Sequence, residues 1–375
     1  MTATGADGTH AETALDVSSS WTRFPRMGYL SHFKPTAPAG TDGNTTYESF
    51  LFHQPQDYIN KLSQDYHINA LQYYDWQYRH EQPVATGDLE NQWPLWYANT
   101  YASKKTISDY VTDAKNANIG SLAYSMAYAA NDGYDTNAIK DEWFLRNDDG
   151  SYWRRGLGNQ WWVSTPEGTP KPENHMTMMN VNAQGWRDYI TDQYVAQKDA
   201  FGFDGTHIDT LGQTVKKDAA GNPVDLTDGL TALVNDTAAK TGTATGINLP
   251  DGAGTDKIGL SSASYVYTEL WDHNETNQQV ATYLQGARNA AGNKAQIVAA
   301  YANNYDPTQS GRAAVPTQDG PRIEAESDQA SVSGGVHTIS FWVPTDRTYT
   351  PVNIDCITFR EFNTDSVKLA DAAFA

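Results

Sequence analysis

The strongest constraint on the fold is an alternation of short apolar runs with longer amphipathic stretches, which begins near Arg26 and continues along most of the chain. This alternation is typical of parallel strands joined by crossover helices. Eight runs predict strands, at 27–32, 68–74, 119–128, 205–209, 244–248, 265–269, 296–301 and 367–370. The clearest helical stretches lie between them, at 55–66, 104–117, 183–201, 226–240 and 275–290. The pattern predicts an α/β protein with a (β/α)8 TIM-type barrel.

Four segments divide the chain. Residues 1–20 are rich in Thr, Ala, Gly, Asp and Ser and are predicted to be a disordered linker. Residues 21–305 hold barrel strands 1 to 7, and the period-two alternation of residues 306–363 predicts a β-rich insertion. Residues 364–375 hold strand 8, which no eighth helix follows, so the barrel is expected to be incomplete at its C-terminus.

Composition excludes several kinds of partner. The formal net charge of −19 leaves no basic stripe for a nucleic acid, and no apolar run has the roughly 20 residues of a membrane span. A single cysteine, Cys356, rules out an intrachain disulfide and a cysteine-rich zinc site. We expect no metal and no cofactor, although Asn147–Asp149 fits either a calcium loop or a plain turn. A neutral ligand is expected.

Two carboxylates are the candidate catalytic residues, because each follows an apolar strand at the end where barrel enzymes place their sites. Asp209 ends the predicted fourth strand, and Glu269 ends the sixth, two residues before Trp271. A Glu beside Trp271 is expected to be partly desolvated, with a raised pKa suited to a general acid. The alternatives are a helix cap for Asp209 and a salt bridge for Glu269.

The second strand is followed by Tyr73–His80, a segment dense in residue types that bind sugars. Its carboxylate Asp75 can accept hydrogen bonds from hydroxyl groups, while Arg79 and His80 can donate; alternatively Asp75 and Arg79 pair with each other and hold the loop. Residues at these strand ends make up the predicted substrate-binding set: Tyr74, Asp75, Trp76, Arg79, His80, Asn180, His207, Asn248, Trp271 and Tyr301. The high content of Tyr and Trp fits stacking on sugar rings, or simply core packing.

Four ordered blocks resemble the catalytic domain of glycoside hydrolase family 66: Trp21–Leu30, Ile68–His80, Gly202–Gly212 and Tyr267–Trp271. The family contains endo-dextranases and cycloisomaltooligosaccharide glucanotransferases. The resemblance implies a retaining mechanism on α-1,6-linked glucan (dextran or isomalto-oligosaccharides), with Asp209 as the nucleophile and Glu269 as the acid/base. The two carboxylates are then expected about 5 to 5.5 Å apart.

The resemblance has further consequences for the insertion and the setting. Residues 306–363 are similar at their ends to a family-35 carbohydrate-binding module, but they are shorter than a complete β-sandwich. Hydrolysis, cyclising transfer, another α-glycosidase activity and glucan binding without turnover all remain open. The first 20 residues are polar and acidic and are unlike a signal peptide, yet a polymeric substrate implies work outside the cell.

Overall fold

The computed structural model describes residues 2–4, 10–12, 18–31, 33–34, 55–95, 101–156, 175–211, 216–270, 277–300, 356–360 and 368–373. The chain divides into two units. One comprises residues 1–273 and 281–300, and the other comprises residues 274–280 and 301–375. The candidate site lies in the first unit.

Seven parallel strands form the central sheet, and each strand lies beside its neighbours in sequence. This order confirms the first seven strand predictions and the coarse TIM-like fold. In chain order the strands are β1 (Met27–Leu30), β2 (Ala70–Tyr73), β3 (Gly120–Met126), β4 (Gly205–Asp209), β5 (Ala244–Asn248), β6 (Tyr265–Leu270) and β7 (Ala295–Ala300).

Within the described residues five α-helices lie between the strands in sequence, and apolar residues of the first four pack in clusters with residues of the sheet. They are α1 (Pro55–Gln64), α2 (Lys104–Asn116), α3 (Gln184–Phe201), α4 (Thr227–Thr241) and α5 (Asn277–Ala290). Two of them end at left-handed glycines, Gly202 (φ 76°) and Gly242 (φ 64°), where an L side chain would be strained. These caps turn the chain directly into β4 and β5.

Side chains from distant strands meet on the inner face, so the sheet is curled. The hydroxyl of Tyr29 on β1 contacts the hydroxyl of Tyr267 on β6. Below them, Ala70, Leu122 and Tyr265 are buried in one apolar cluster with Trp21 packed against it. The indole of Trp21 lies only 2.4 Å from where a side chain at Gly120 would begin. The interior is therefore filled at the N-terminal end of the strands.

The long segment after β3 contains a small antiparallel sheet. Its strands are Ala129–Asn131, His175–Met178 and Arg154–Gly156, with His175–Met178 in the middle. A short 3-10 helix, Asp141–Trp143, precedes a plain turn at residues 147–150, closed by a hydrogen bond from the Gly150 amide to the Asn147 carbonyl (3.0 Å). The backbone of Asn147–Gly150 thus forms a turn.

Shorter elements complete the described chain. Three antiparallel strand pairs are Gln92–Pro94 with Tyr101–Ser103, Lys216–Lys217 with Pro223–Val224, and Cys356–Arg360 with Lys368–Ala373. The 3-10 helices are Trp21–Arg23, Gly87–Leu89, Asp141–Trp143, Pro250–Gly252 and Ile258–Leu260. In the part of the chain that the structure describes, no helix combines the length and hydropathy needed to span a bilayer.

Short antiparallel strands are described near both ends of the chain. Thr2–Thr4 pairs with His10–Glu12 inside the segment 1–20, whose assignment as a disordered linker stays a prediction. Near the other end, Lys368–Ala373 pairs antiparallel with Cys356–Arg360. A parallel eighth barrel strand at residues 364–375 is not confirmed and stays a prediction, as does the insertion at 306–363.

Candidate active site

The site is built at the C-terminal ends of β4, β5 and β6. The parallel register pairs Ile208 with Ile247, which brings the next residues, Asp209 and Asn248, side by side at the strand ends. On β6, alternation puts Tyr265, Tyr267 and Glu269 on the inner face. The topology thus brings together the two carboxylates that the sequence singles out.

The amide of Asn248 joins the two carboxylates. Its Nδ2 atom donates to Oδ1 of Asp209 (2.7 Å) and to Oε2 of Glu269 (3.1 Å). Because both bonds start from one nitrogen, these two oxygens lie at most about 5.8 Å apart. If each amide hydrogen serves one oxygen, the spread of roughly 120° between the hydrogens makes the separation about 5 Å.

Two further donors converge on Asp209. The hydroxyl of Tyr124 donates to Oδ2 (2.8 Å), and the backbone amide of Thr210 donates to Oδ1 (2.9 Å). Burial first, and the charge of Glu269 second, raise the pKa of Asp209 to about 6, although the three hydrogen bonds act in the opposite direction. Donors that point at both oxygens suit an ionised carboxylate, which accepts and does not donate.

Tyrosines surround the carboxylates, and sequence reasoning missed two that matter, Tyr29 and Tyr124. Tyr124 is buried, and its ring lies 4.5 Å from the ring of Tyr74, which is partly exposed. Burial raises the pKa of Tyr29 to about 12, with added contributions from the charges of Glu269 and Asp209. Strand alternation was the signal for Tyr124, because it shares the inner face of β3 with Leu122.

Three residues of the predicted substrate-binding set are buried in the fold. Trp76 is fully buried, its ring 5.0 Å from those of Phe201 and Phe203, so no face is left for a sugar. His80 and His207 are buried as well, and burial lowers the pKa of each to about 3, so both are neutral. All three belong to the packed interior.

The histidines have internal partners. The Nδ1 atom of His207 shares a hydrogen bond with the Tyr265 hydroxyl (2.9 Å), one layer below Asp209. The backbone amide of His80 donates to Oδ1 of Asn131 (2.7 Å), and its ring Nδ1 contacts Nε2 of Gln77 (3.1 Å). Neither ring is exposed enough to meet a ligand.

Arg79 holds a loop, but its partner is Glu81 and not Asp75. Its guanidinium also donates to the backbone oxygens of Asn131 (2.7 Å) and Asp132 (2.8 Å), and Glu81 in turn accepts from the Asn131 amide (2.9 Å). Because these groups satisfy most of its donors, Arg79 ties the segment after β2 to the small antiparallel sheet.

The remaining candidates fall into different groups. Asp75 is buried in a left-handed conformation (φ 50°), with the Gln77 amide 3.5 Å from its Oδ1 atom. Asn180 is buried and accepts from the Asn182 amide (3.0 Å). Trp271 and Tyr301 lie outside the described residues. Within the described ranges no group of three or more His, Cys, Asp or Glu side chains is arranged to hold a metal ion.

A curled parallel sheet with two carboxylates at its C-terminal edge is the arrangement of a barrel glycosidase, and the comparison with known proteins agrees. The family model of glycosyl hydrolase family 66 matches residues 2–375, and the chain belongs to that family. This family is one of glycoside hydrolases.

The similar proteins named below are all cycloisomaltooligosaccharide glucanotransferases. Two cycloisomaltooligosaccharide glucanotransferases of Niallia circulans are 30% and 29% identical, over 84% and 78% of this chain. The chain spans less than a third of their length, 30% and 29%. A solved cycloisomaltooligosaccharide glucanotransferase of Paenibacillus sp., complexed with cycloisomaltoheptaose, matches with a TM-score of 0.66 and 27% identity over 79% of this chain and 41% of its own.

Proposed function

We propose that this chain cleaves α-1,6-linked glucan with retention of configuration, through a covalent glucosyl ester on Asp209 and with Glu269 as the acid/base. The observation that carries the proposal is the shared Asn248 amide, which limits the separation of the two carboxylate oxygens to about 5.8 Å. Retaining enzymes have carboxyl groups roughly 5 to 5.5 Å apart, whereas inverting enzymes need about 6.5 to 9.5 Å to admit a water.

The hydrogen bonds support the division of roles. Asp209 receives three donors, which stabilise the ionised form that a nucleophile requires. Glu269 lies near the C-terminal end of β6, where it accepts a hydrogen bond from Asn248. It delivers a proton to the leaving glycosidic oxygen as Asp209 attacks the anomeric carbon. Glu269 then removes a proton from water or from a sugar hydroxyl, which displaces the ester and restores Asp209.

The substrate class rests on the relatives. Two named cycloisomaltooligosaccharide glucanotransferases and a solved complex with cycloisomaltoheptaose support α-1,6-glucan or isomalto-oligosaccharides as the substrate. They equally favour a second candidate, intramolecular transfer that forms cyclic products, because hydrolysis and transfer differ only in the acceptor. A polymeric glucan is met outside cells, and we place the activity there.

Partly exposed aromatic residues supply the sugar contacts in this proposal. Tyr29 and Tyr74 are 47% and 39% exposed, and the charges of Asp209 and Glu269 act on both hydroxyls. Their faces suit the apolar side of a glucose ring. Asp75, Trp271 and Tyr301 remain predicted contacts on sequence grounds.

Incubation with dextran is the first test. Linear isomalto-oligosaccharides indicate hydrolysis, cyclic products indicate transfer, and binding without products indicates a glucan-binding protein. Absence of both binding and turnover in the folded chain contradicts the substrate assignment.

Azide rescue then separates the two roles. With an activated substrate whose leaving group needs no proton, Glu269→Ala with azide should yield the α-glucosyl azide after two displacements. Asp209→Ala with azide should yield the inverted β-azide after one displacement. The reverse pattern exchanges the roles, and two variants that still cleave dextran at the wild-type rate remove both residues from the mechanism.

A further inference from the structure

We infer that Asn248 is a positioning residue, whose single amide group fixes the separation of Asp209 and Glu269 and holds Asp209 in its ionised form. The inference rests on the proposed function, and it replaces the role of sugar contact that the sequence suggests for Asn248. Only 2% of Asn248 is exposed, so little of it is open to a substrate.

The orientation of the amide follows from its neighbours. Both flanking groups are carboxylates that accept hydrogen bonds, so the NH2 end of Asn248 faces them and the Oδ1 end points away. That Oδ1 atom is buried and has no hydrogen-bond partner among the described residues. An unpartnered buried carbonyl costs stability, so the orientation is maintained by the two charge-assisted bonds at the other end.

The backbone of Asn248 is fixed as well. Its carbonyl oxygen accepts from the hydroxyl of Thr210 (2.9 Å), the residue after Asp209, and the parallel register pairs Asn248 with Tyr267 on β6. The amide is therefore attached to both strands that carry a carboxylate. Removal of this bridge leaves the two carboxyl groups without the donor that joins them.

Other groups also act on Asp209, and a test must allow for them. The neighbouring titratable side chains, taken from every strand around the site, are Glu269, Tyr124, Tyr128, Tyr74 and Tyr29. Each of these tyrosines has a pKa above its usual value and is neutral below pH 9. These four tyrosines therefore keep the same charge throughout the test.

The test compares three variants with the wild-type chain. In Asn248→Ala the donor is lost, and in Asn248→Asp a third carboxyl of the same shape takes its place. The control is Asn69→Ala, since Asn69 also bridges two groups, the Arg26 amide (2.7 Å) and the Phe24 carbonyl (3.0 Å), but at the opposite end of the strands.

The kinetic measurement is the pH profile on dextran. We expect the acidic limb of kcat/KM to move up by about one pH unit in Asn248→Ala and further in Asn248→Asp, with kcat reduced at least about tenfold and KM changed less than about threefold. The acidic limb of kcat/KM in Asn69→Ala should stay at the wild-type pH. A loss confined to KM would make Asn248 a sugar contact, and unmoved limbs in both Asn248 variants would overturn the inference.

The second measurement needs no substrate. The pH dependence of the unfolding temperature reports the ionisation of Asp209, and its decline with rising pH should extend to higher pH in both Asn248 variants. If the wild-type chain does not turn over dextran, the proposed function fails while this measurement still judges Asn248. A decline in the same pH window as the wild type in both variants overturns the positioning role.

Discussion

Replacement of Asp209 by asparagine should stabilise the folded chain at neutral pH, because its carboxyl is harder to ionise in the fold than in the unfolded chain. The pKa of Asp209 is about 6 in the fold, against about 3.9 for a free aspartate, and each unit corresponds to 1.36 kcal/mol. Ionisation of this one group therefore costs the fold about 3 kcal/mol at pH 7.

The direction of the pKa shift of Asp209 determines the pH range in which stability changes. Between about pH 4 and pH 6 the unfolded chain releases this proton before the folded chain does, so the unfolded state binds fewer protons and stability falls as the pH rises. The cost is absent below about pH 4 and complete above about pH 6. A neutral asparagine avoids it at every pH.

The hydrogen bonds allow the substitution. Both donors from Asn248 and Thr210 reach Oδ1, which asparagine keeps, while only the Tyr124 hydroxyl reaches Oδ2. The NH2 group that replaces Oδ2 in the variant can donate to that hydroxyl after the hydroxyl rotates, because a hydroxyl also accepts. No donor has to face another donor.

The measurement is the free energy of unfolding in urea at pH 4 and pH 7. Asp209→Asn should gain about 2 to 3 kcal/mol over the wild type at pH 7 and close to nothing at pH 4. Asp148→Asn is the control, since its side chain is 98% exposed and it should show no such difference. An equal effect of Asp209→Asn at both pH values would refute the raised pKa of Asp209.

Three further predictions concern the same region. The acidic limb of kcat/KM on dextran should fall near pH 6, about tenfold per unit below it, as Asp209 takes up a proton; a limb near pH 4 in the measured profile would contradict this. Asparagine tolerates the left-handed backbone at position 75, so Asp75→Asn should lower kcat/KM at least about tenfold without unfolding the chain. Asp75→Ala adds backbone strain of about 1 kcal/mol, which urea denaturation should detect. Wild-type kinetics for Asp75→Asn would make this residue structural. Trp76→Ala should cost about 3 to 5 kcal/mol in urea denaturation and leave KM unchanged in the folded fraction, since the indole is core; a selective rise in KM would return it to the substrate site.

Much of the fold can be predicted from the sequence because buried parallel strands appear as short apolar runs, and seven of them align in chain order. The carboxylates Asp209 and Glu269 could be predicted for a similar reason, since an acid at the end of such a run is costly without a role. The solvent exposure of individual side chains could not be predicted. Trp76 and His207 are of types that serve equally in a core and in a sugar site, and only packing distinguishes the two.

The sequence also could not predict which side chains form ion pairs and hydrogen bonds across the fold. The sequence analysis offered Asp75 as a partner for Arg79, but Glu81 and two backbone oxygens of the adjoining sheet bind it. The bridging role of Asn248 depends on the register between β4 and β5, which a strand prediction does not specify. The sequence can assign residues to a site, but the role of each residue depends on the register between the strands.

The indole of Trp21 determines how a polymer can approach. It lies at the N-terminal end of the sheet's inner face against Gly120, 6.1 Å from the ring of Tyr265, and so fills space on the side opposite to Asp209. Under the proposed function, a glucan chain that approaches Asp209 from the C-terminal ends of the strands lies across those ends. Both halves of a cut chain then leave by the side from which they came, and an internal bond is as accessible as a terminal one.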